Sequence, residues 1–285
     1  MHIIPTAAEV RGTVVDASTG EPLLGVVVSG GGAEAETGSD GTFVLPGVTE
    51  GSEVTASICS HESTEARVRS IDQPTVNLGK IELQSTSVPI KVTNNLTEKG
   101  IKARYRGATK GSTRRGGQAL IRGVCPGETL RFRAPGYDPT SIQVPESGEE
   151  IDIVLLADPA TTAEYLIEMT AKGRYAAAWR LIHPDVNYAT VADYRASVVQ
   201  ELRQGYQHTS RDAESFTMLR WVVPACDFAN WGPKTYPRTA AVDSIEHWST
   251  PSGGGDTDNI VTHYVQTKDG FWRWFPNVGC TFEAA

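Results

Sequence analysis

The chain lacks the residue patterns that mark the commonest chemistries. Only four of its 285 residues are cysteine. None stands in a C-x-x-C pair or at zinc-ligand spacing from a histidine, which argues against a structural zinc site. No G-x-S-x-G elbow and no phosphate-cradling glycine loop occurs. No apolar run approaches the roughly 20 residues of a membrane helix, so no membrane span is expected. Met1-His2-Ile3-Ile4-Pro5 is too short for a signal peptide. A formal net charge of −8 and the absence of a reader motif argue against nucleic acid as a partner. Gly253-Gly254-Gly255 with Asp256 and Asp258 reads as a hairpin loop without the full calcium-loop signature. Asn95-Leu96-Thr97 is a glycosylation sequon that counts only in a eukaryotic source. Neither a metal nor a cofactor is expected.

What the chain does have is turn chemistry between short alternating runs. Apolar residues make up 39% and charged residues 21%, with 28 glycines and 16 prolines, a globular profile leaning towards strands and turns. From Val10 to Ser57, V-R-G-T-V-V-D, G-V-V-V-S-G, G-T-F-V-L-P-G-V and V-T-A-S alternate apolar with small or polar residues. The breaks fall at Thr19-Gly20-Glu21-Pro22 and Ser39-Asp40-Gly41, as half-buried strands joined by tight turns require. V-N-L-G-K-I-E-L supplies a last strand ending near Leu83, and Gln84 to Ser87 reads as a linker. The pattern then restarts with V-P-I-K-V, I-K-A-R-Y-R, G-Q-A-L-I-R-G-V, L-R-F-R-A-P-G-Y, S-I-Q-V-P and E-I-D-I-V-L-L. Gly117 to Ile121 sits where Gly41 to Leu45 sits in the first module, which marks a divergent repeat.

After Asp158-Pro159 the period lengthens to about 3.6. Thr161-Thr162 is expected to cap a helix carrying Tyr165, Leu166 and Met169 up to Gly173. A second helix bears Tyr175, Ala178, Trp179 and Ile182 until His183-Pro184 stops it. A third runs from about Val191 to Gly205. Long alternating segments follow at 216–223, 239–248, 260–267 and 271–275. The expected domains are therefore 1–85 and 86–158, two antiparallel β-sandwiches, and 159–285, an α+β domain of three helices on a curved antiparallel sheet.

The first module's residues resemble the carboxypeptidase regulatory-like domain, a transthyretin-like seven-strand sandwich, and Arg133-Ala134-Pro135-Gly136-Tyr137 is similar to a segment common in such modules. The C-terminal order, with E-Y-L-I-E-M-T-A-K-G-R-Y-A-A-A-W-R-L-I-H-P-D-V and D-G-F-W-R-W-F, resembles the nuclear-transport-factor-two-like cone, in particular its exported bacterial members. The first resemblance implies architecture more than activity. The second implies a pocket between helices and sheet in which relatives place an acid or base. Candidates here are Asp185, Asp243, His247 and His263, with Asp243, Ile245 and His247 alternating onto one strand face. Both families suggest an exported protein whose signal or anchor has been removed.

All six tryptophans fall in the last segment. Trp179, Trp221, Trp248 and Trp272 either line a pocket for a flat apolar or sugar ligand or pack the helix-to-sheet core, together with Trp231 and Trp274. Cys226 and Cys280, on two strands of that segment, form a disulfide in an oxidising compartment or remain thiols. Cys59 and Cys125 read as small core residues in different domains. Charge is uneven: residues 1–85 carry −8, 86–158 carry +3 and 159–285 carry −3. Within the basic module Lys102, Arg104 and Arg106 alternate onto one face. That face suits an anionic polymer or glycan, docks on the acidic first module, or guards a strand edge. The expected function is a noncatalytic exported scaffold or binding protein with a protein or cell-surface glycan partner. The alternatives are a subunit that self-associates by β-edge pairing, with Ile3-Ile4 as an added strand, and a cyclase- or isomerase-like enzyme using the cone pocket.

Overall fold

The computed structural model describes residues 7–146, 148–185, 190–223, 234–275 and 283–284. Ile3-Ile4, Cys226, Trp231 and Cys280 lie outside them, as does the side chain of Trp221. The first seven strands are β1 (Ala8–Asp16), β2 (Val27–Gly30), β3 (Ala33–Glu36), β4 (Thr42–Val48), β5 (Glu53–Ser57), β6 (Thr64–Arg67) and β7 (Thr75–Leu83). They form two facing sheets, ordered β4-β1-β7 and β3-β2-β5-β6. The period-two pattern has the expected consequence. Val10, Val14, Val28, Phe43, Leu45, Val54, Ala56 and Leu83 are buried in one core, while most of their neighbours along each strand, Val15 excepted, are partly or fully exposed. Gly41 enters β4 at φ 73°, and a Cβ there would lie 2.5 Å from the Val14 carbonyl oxygen, so only glycine fits the turn. One expectation is corrected: β1 and β7 run parallel, so the three-stranded sheet is mixed. The chain crosses through the other sheet between them, and such a long crossover is what a parallel pair needs.

The next strands are β8 (Ser87–Asn94), β9 (Arg104–Arg106), β10 (Lys110–Ser112), β11 (Gln118–Arg122), β12 (Thr129–Arg133), β13 (Thr140–Gln143) and β14 (Ile151–Leu155). Their sheets are ordered β11-β8-β14 and β10-β9-β12-β13. This repeats the first topology strand for strand, with β11 in the place of β4. Val88, Ile90, Ile121, Leu130, Phe132, Ile153 and Leu155 are buried. The protein is a multidomain β-sandwich chain followed by a helical and sheet region.

The last region starts with α1 (Pro159–Ala171), α2 (Tyr175–Trp179) and α3 (Val191–Arg203). Helix α1 begins two residues before the expected cap. Asp158 accepts the Thr161 amide at 2.8 Å, and Pro159, with no amide to satisfy, follows it. Thr190 and Asp193 form a reciprocal capping box on α3. Strands β15 (Gln207–Val223), β16 (Lys234–Ser249), β17 (Gly255–Gln266), β18 (Trp272–Phe275) and β19 (Glu283–Ala284) make one antiparallel sheet ordered β18-β17-β16-β15-β19. Ala163 of α1 packs with Ala240, Val242, Tyr264 and Trp272, which defines the sheet's inner face. Asn95 of the sequon is buried and its Oδ1 accepts the Ala157 amide at 2.9 Å, so it serves packing.

Contacts divide the chain into two compact units, one of residues 1–91, 103–132 and 141–152, the other of residues 92–102, 133–140 and 153–285. The first unit holds an unexpected crosslink. Cys59 and Cys125 form a disulfide with Cα atoms 5.1 Å apart, correcting their reading as separate core thiols. They are far apart in sequence, but the β5–β6 connection of the first sandwich meets the segment after β11 of the second. Thr86 lies at the same seam: its amide and hydroxyl both donate to the Ser60 carbonyl at 2.9 Å, and the Gly123 amide donates to the Thr86 carbonyl at 3.0 Å. Ser85 Oγ donates to Asp16 Oδ2 at 2.7 Å, and His61 Nε2 lies 2.9 Å from the same oxygen. Hydroxyl bonds from Ser18 and Ser85, then the His61 contact, outweigh burial and hold the Asp16 carboxyl well below the usual carboxylate range. Residues 84–87, expected as a linker, are thus tied by hydrogen bonds to both sandwiches.

Opening that 66-residue loop with Cys59→Ser and Cys125→Ser should lower the stability of the first unit by about 4 kcal/mol, from the lost loop-closure constraint on the unfolded chain. Chemical denaturation of the oxidised protein and the double variant measures this. Coincident unfolding curves would show that the crosslink contributes nothing.

Candidate functional site

Strand pairing sets which side chains of the last sheet can meet. Residues directly opposite each other share a face, so Arg211 and Glu246, paired across β15 and β16, point inward with Ala240, Val242 and Ser244. Asp243, Ile245 and His247 do share a face, as their alternation implies, and it is the opposite, partly exposed one. There Asp243 accepts the Ser215 hydroxyl at 3.0 Å and His247 Nε2 lies 2.9 Å from Asp212. The inward carboxylate is Glu246, which pairs with the Arg211 guanidinium; both are buried. The remaining Arg211 Nη1 donates to Thr262 Oγ1 at 3.3 Å and Tyr264 OH at 3.1 Å. Burial pushes the Tyr264 phenol up, against the Arg211 charge. A carboxylate so engaged has its oxygens committed to the guanidinium and is poorly placed to take a substrate proton.

Next along β15, His208 pairs with Trp248, and their ring centroids lie 3.4 Å apart. His208 Nδ1 is 3.5 Å from Glu246 and its Nε2 3.9 Å from Glu201 of α3. Burial, and then the Arg211 charge, lowers the imidazole to about 4. Burial alone pushes the Glu201 carboxyl up. These two groups border a cavity of about 230 Å³ between the end of α1 and α3, with Tyr175, Tyr206 and Thr170 on its walls. Thr170 Oγ1 and Tyr194 OH are hydrogen-bonded at 2.6 Å. A bulge between Ala213 and Ser215 interrupts the ladder just beyond, and the Ala213 amide donates to Glu164 of α1 at 3.1 Å.

A second hollow, of about 510 Å³, opens between the end of α2 and the β17–β18 turn. Trp179 and Pro184 line one wall, Thr267 and Lys268 the other. Arg273 joins the walls: its Nε donates to Thr267 Oγ1 at 3.0 Å, Nη2 to Asp269 at 2.6 Å and Nη1 to the Arg180 carbonyl. Beneath, His183 packs its ring against Tyr236 and Phe275 at centroid distances of 5.3 and 5.4 Å. Tyr236 OH donates to Asp185 at 2.5 Å. Burial and then this bond raise the Tyr236 phenol above its ordinary range.

The structure thus separates the candidate tryptophans. Trp272 is a core residue, 1% exposed, Trp248 packs at a tilt against the His208 ring, and Trp179 faces the larger cleft. His263 pairs with Ala241 and Phe275, on the face away from Glu246. Sequence reasoning missed Arg211, Glu246 and His208. Their signal is a pair of opposite charges inside two apolar alternations, visible only once the strand register is known. In the second sandwich, Arg104 and Arg106 stand exposed on β9, as does Lys102 before it, while Tyr105 turns inward against Phe132. Lys110 pairs with Arg106 across β10 and extends the cationic face. Among the described residues no ion pair joins this face to an acid of the first sandwich.

No known family profile and no curated protein matches this chain. Among solved structures, a streptococcal ancillary pilin is similar over 55% of this chain and 64% of its own, at 12% identity and a TM-score of 0.24. The Bacillus anthracis TIE protein is similar over 98% of this chain and 48% of its own, at 10% identity and 0.35. A shaft pilin SpaA from Lactobacillus rhamnosus GG is similar over 54% and 98%, at 11% and 0.24. The chain therefore spans less than two thirds of the first two.

Arg211→Met should destabilise the second unit by about 3–5 kcal/mol, because Glu246 is left charged and buried. Adding Glu246→Leu should restore most of the loss. A single variant within about 1 kcal/mol of the parent, read by urea unfolding, would show that the pair carries no such weight.

His208 titrates near 6.5 when unfolded and about 4 when folded, so the unfolded state binds more protons between those values. Its contribution, up to about 3 kcal/mol, is present above pH 6.5 and is lost as pH falls towards 4. Glu201, shifted upward, opposes this at the lower end. His208→Asn should flatten the slope of Tm against pH across that window, and parallel curves for the two proteins would refute the assignment.

Proposed function

We propose that the chain is a noncatalytic exported scaffold and binding protein. In this reading the two sandwiches, of the carboxypeptidase-regulatory-like, transthyretin-like type, act as stiff spacers and contact surfaces. The C-terminal domain, read as a nuclear-transport-factor-two-like cone, carries the binding cleft. The observation that carries the reading is the seam of the first unit, where a disulfide, the Thr86 bonds and the Asp16–His61–Ser85 clasp meet. A disulfide that persists favours an oxidising, extracytoplasmic setting. Crosslinking two modules at their junction suits a part that holds a distance.

The catalytic alternative has less support, because the inward carboxylate Glu246 is tied up by Arg211 and the paired Asp243 and His247 face outward. Assembly by edge pairing is disfavoured at one sheet of the first sandwich, whose edge strands β3 and β6 present Glu34, Glu36, Glu65 and Arg67, charges that discourage an added strand; the edges β4 and β7 of the other sheet carry no such argument. The cationic face of Arg104, Arg106 and Lys110 suits an anionic surface polymer, for which charge attraction speeds encounter.

Electron spin labels at Glu36 and Arg106, one in each sandwich and both in the first unit, test the spacer role. The oxidised protein should give a single narrow distance distribution that broadens in the Cys59→Ser, Cys125→Ser protein. A broad distribution in the oxidised protein would defeat the reading.

A further inference from the structure

We propose that the cleft between α2 and the β17–β18 turn binds an acidic saccharide, stacking a sugar ring on Trp179 and seating its carboxylate between Arg180 and Lys268. The proposal rests on the reading of the C-terminal domain as the binding part of the chain and names the ligand class that this domain takes.

The cleft is built before any ligand arrives. Arg273 bonds to Thr267 and Asp269 on the turn and to the Arg180 carbonyl at the end of α2, so one side chain holds both walls. The turn is closed by its own bond, Gly270 N to Thr267 O at 2.9 Å. Thr267 and the Phe271 amide also donate to Asp269. A cleft already braced in this way loses little conformational freedom on binding. Its volume of about 510 Å³ falls in the range of roughly 300–1,000 Å³ typical of small-molecule sites.

The charges around it are unequal. Asp269 is consumed by Arg273, and these two neutralise each other. Arg180 and Lys268 remain, one on each lip, both exposed and with no ion pair among the described residues. The site is therefore cationic at its rim and apolar along the wall made by Trp179 and Pro184. A pyranose with a carboxylate has this complementary form: an apolar C–H face for the indole and a planar anion that a guanidinium can hold through two bonds.

An acidic peptide is the competing occupant, and the structure disfavours it. An extended peptide gains affinity by adding main-chain bonds to an open sheet edge. The nearby edge, β18, is already occupied: Trp274 N donates to the Leu181 carbonyl at 2.7 Å, and His183 N donates to the Trp274 carbonyl at 2.9 Å. What the cleft offers is side chains, which suits a sugar.

Calorimetric titration of the full-length oxidised chain with trigalacturonic acid tests this, alongside cellotriose and a glutamate-rich peptide of similar charge. The acidic trisaccharide should bind, with an affinity that falls at least tenfold in Arg180→Glu, Lys268→Glu protein and weakens with salt. Both substitutions lie on the surface, so circular dichroism should match the parent. Trp179→Phe, which keeps a ring in the core contact, should weaken binding less than Trp179→Ala. Binding of trigalacturonic acid unchanged by the charge reversals, or no binding at all, overturns the proposal. Equal binding of cellotriose, lost in Trp179→Ala, overturns the acidic class while leaving the domain a binding domain. Binding of the peptide alone overturns the saccharide. The spin-label distances in the sandwiches do not depend on any of these results, so failure here is separable from failure of the spacer reading.

Discussion

The seam that joins the first sandwich to its neighbour is the constraint on which the first unit depends. A sandwich of this size buries a modest fraction of its surface, and its stability margin is correspondingly small. Two such modules linked only by a strand-to-strand passage would move independently, since inter-domain motion is the default unless something opposes it. Here three kinds of bond oppose it at one place. The disulfide Cys59–Cys125 limits how far the modules can part, the paired bonds of Thr86 set their register, and Asp16 with His61 and Ser85 fills the polar space between. These bonds differ in what breaks them. Reduction opens the first, while only acid strong enough to protonate a depressed carboxyl reaches Asp16, so the seam is not lost to a single insult.

The last sheet solves a different problem, that of holding two strands of 17 and 16 residues in one register. A one-residue slip of β15 against β16 would turn its inner residues outward. Arg211 would leave the interior and Glu246 would stay behind as an unpaired buried charge, a cost of several kcal/mol. Buried ion pairs are weak evidence for stability as such, yet this one penalises the wrong register heavily. The bulge at Ala213–Ser215 works with it. It frees an amide that Glu164 of α1 accepts, so the helix is located by the same irregularity that bends the strand.

Much of the fold was legible because alternation reports burial directly. Val10, Phe43, Leu45 and Ile121 are where the period places them, and the repeat of Gly117–Ile121 on Gly41–Leu45 corresponds to equivalent strands of the two sheets. The third helix starts at Val191, where the pattern begins. What could not be read is what depends on non-local pairing. Alternation groups Asp243 with His247 correctly, but the side on which helices lie is set by tertiary packing, and that side belongs to Glu246. The pairing of Cys59 with Cys125 needs the distance between two loops from different modules, which spacing along the chain does not contain. The parallel match of β1 with β7 is invisible for the same reason, since strand direction within a sheet follows from the route of the chain between them.

The distribution of charge separates the interior from the surface in a way that bears on function. Inside, each charge has an answer: Arg211 has Glu246, and His208 is kept neutral by burial. On the surface, Arg273 and Asp269 cancel, which is a structural use of charge. Arg104, Arg106 and Lys110 on one sheet, and Arg180 and Lys268 on the rim of a cleft, have no such counterpart among the described residues. Like charges kept close cost folding energy through repulsion, and a chain with a formal net charge of −8 has acids enough to neutralise them. Left exposed, they are solvated at modest cost, and it is side chains of this kind that the proposed saccharide cleft would offer to an anion.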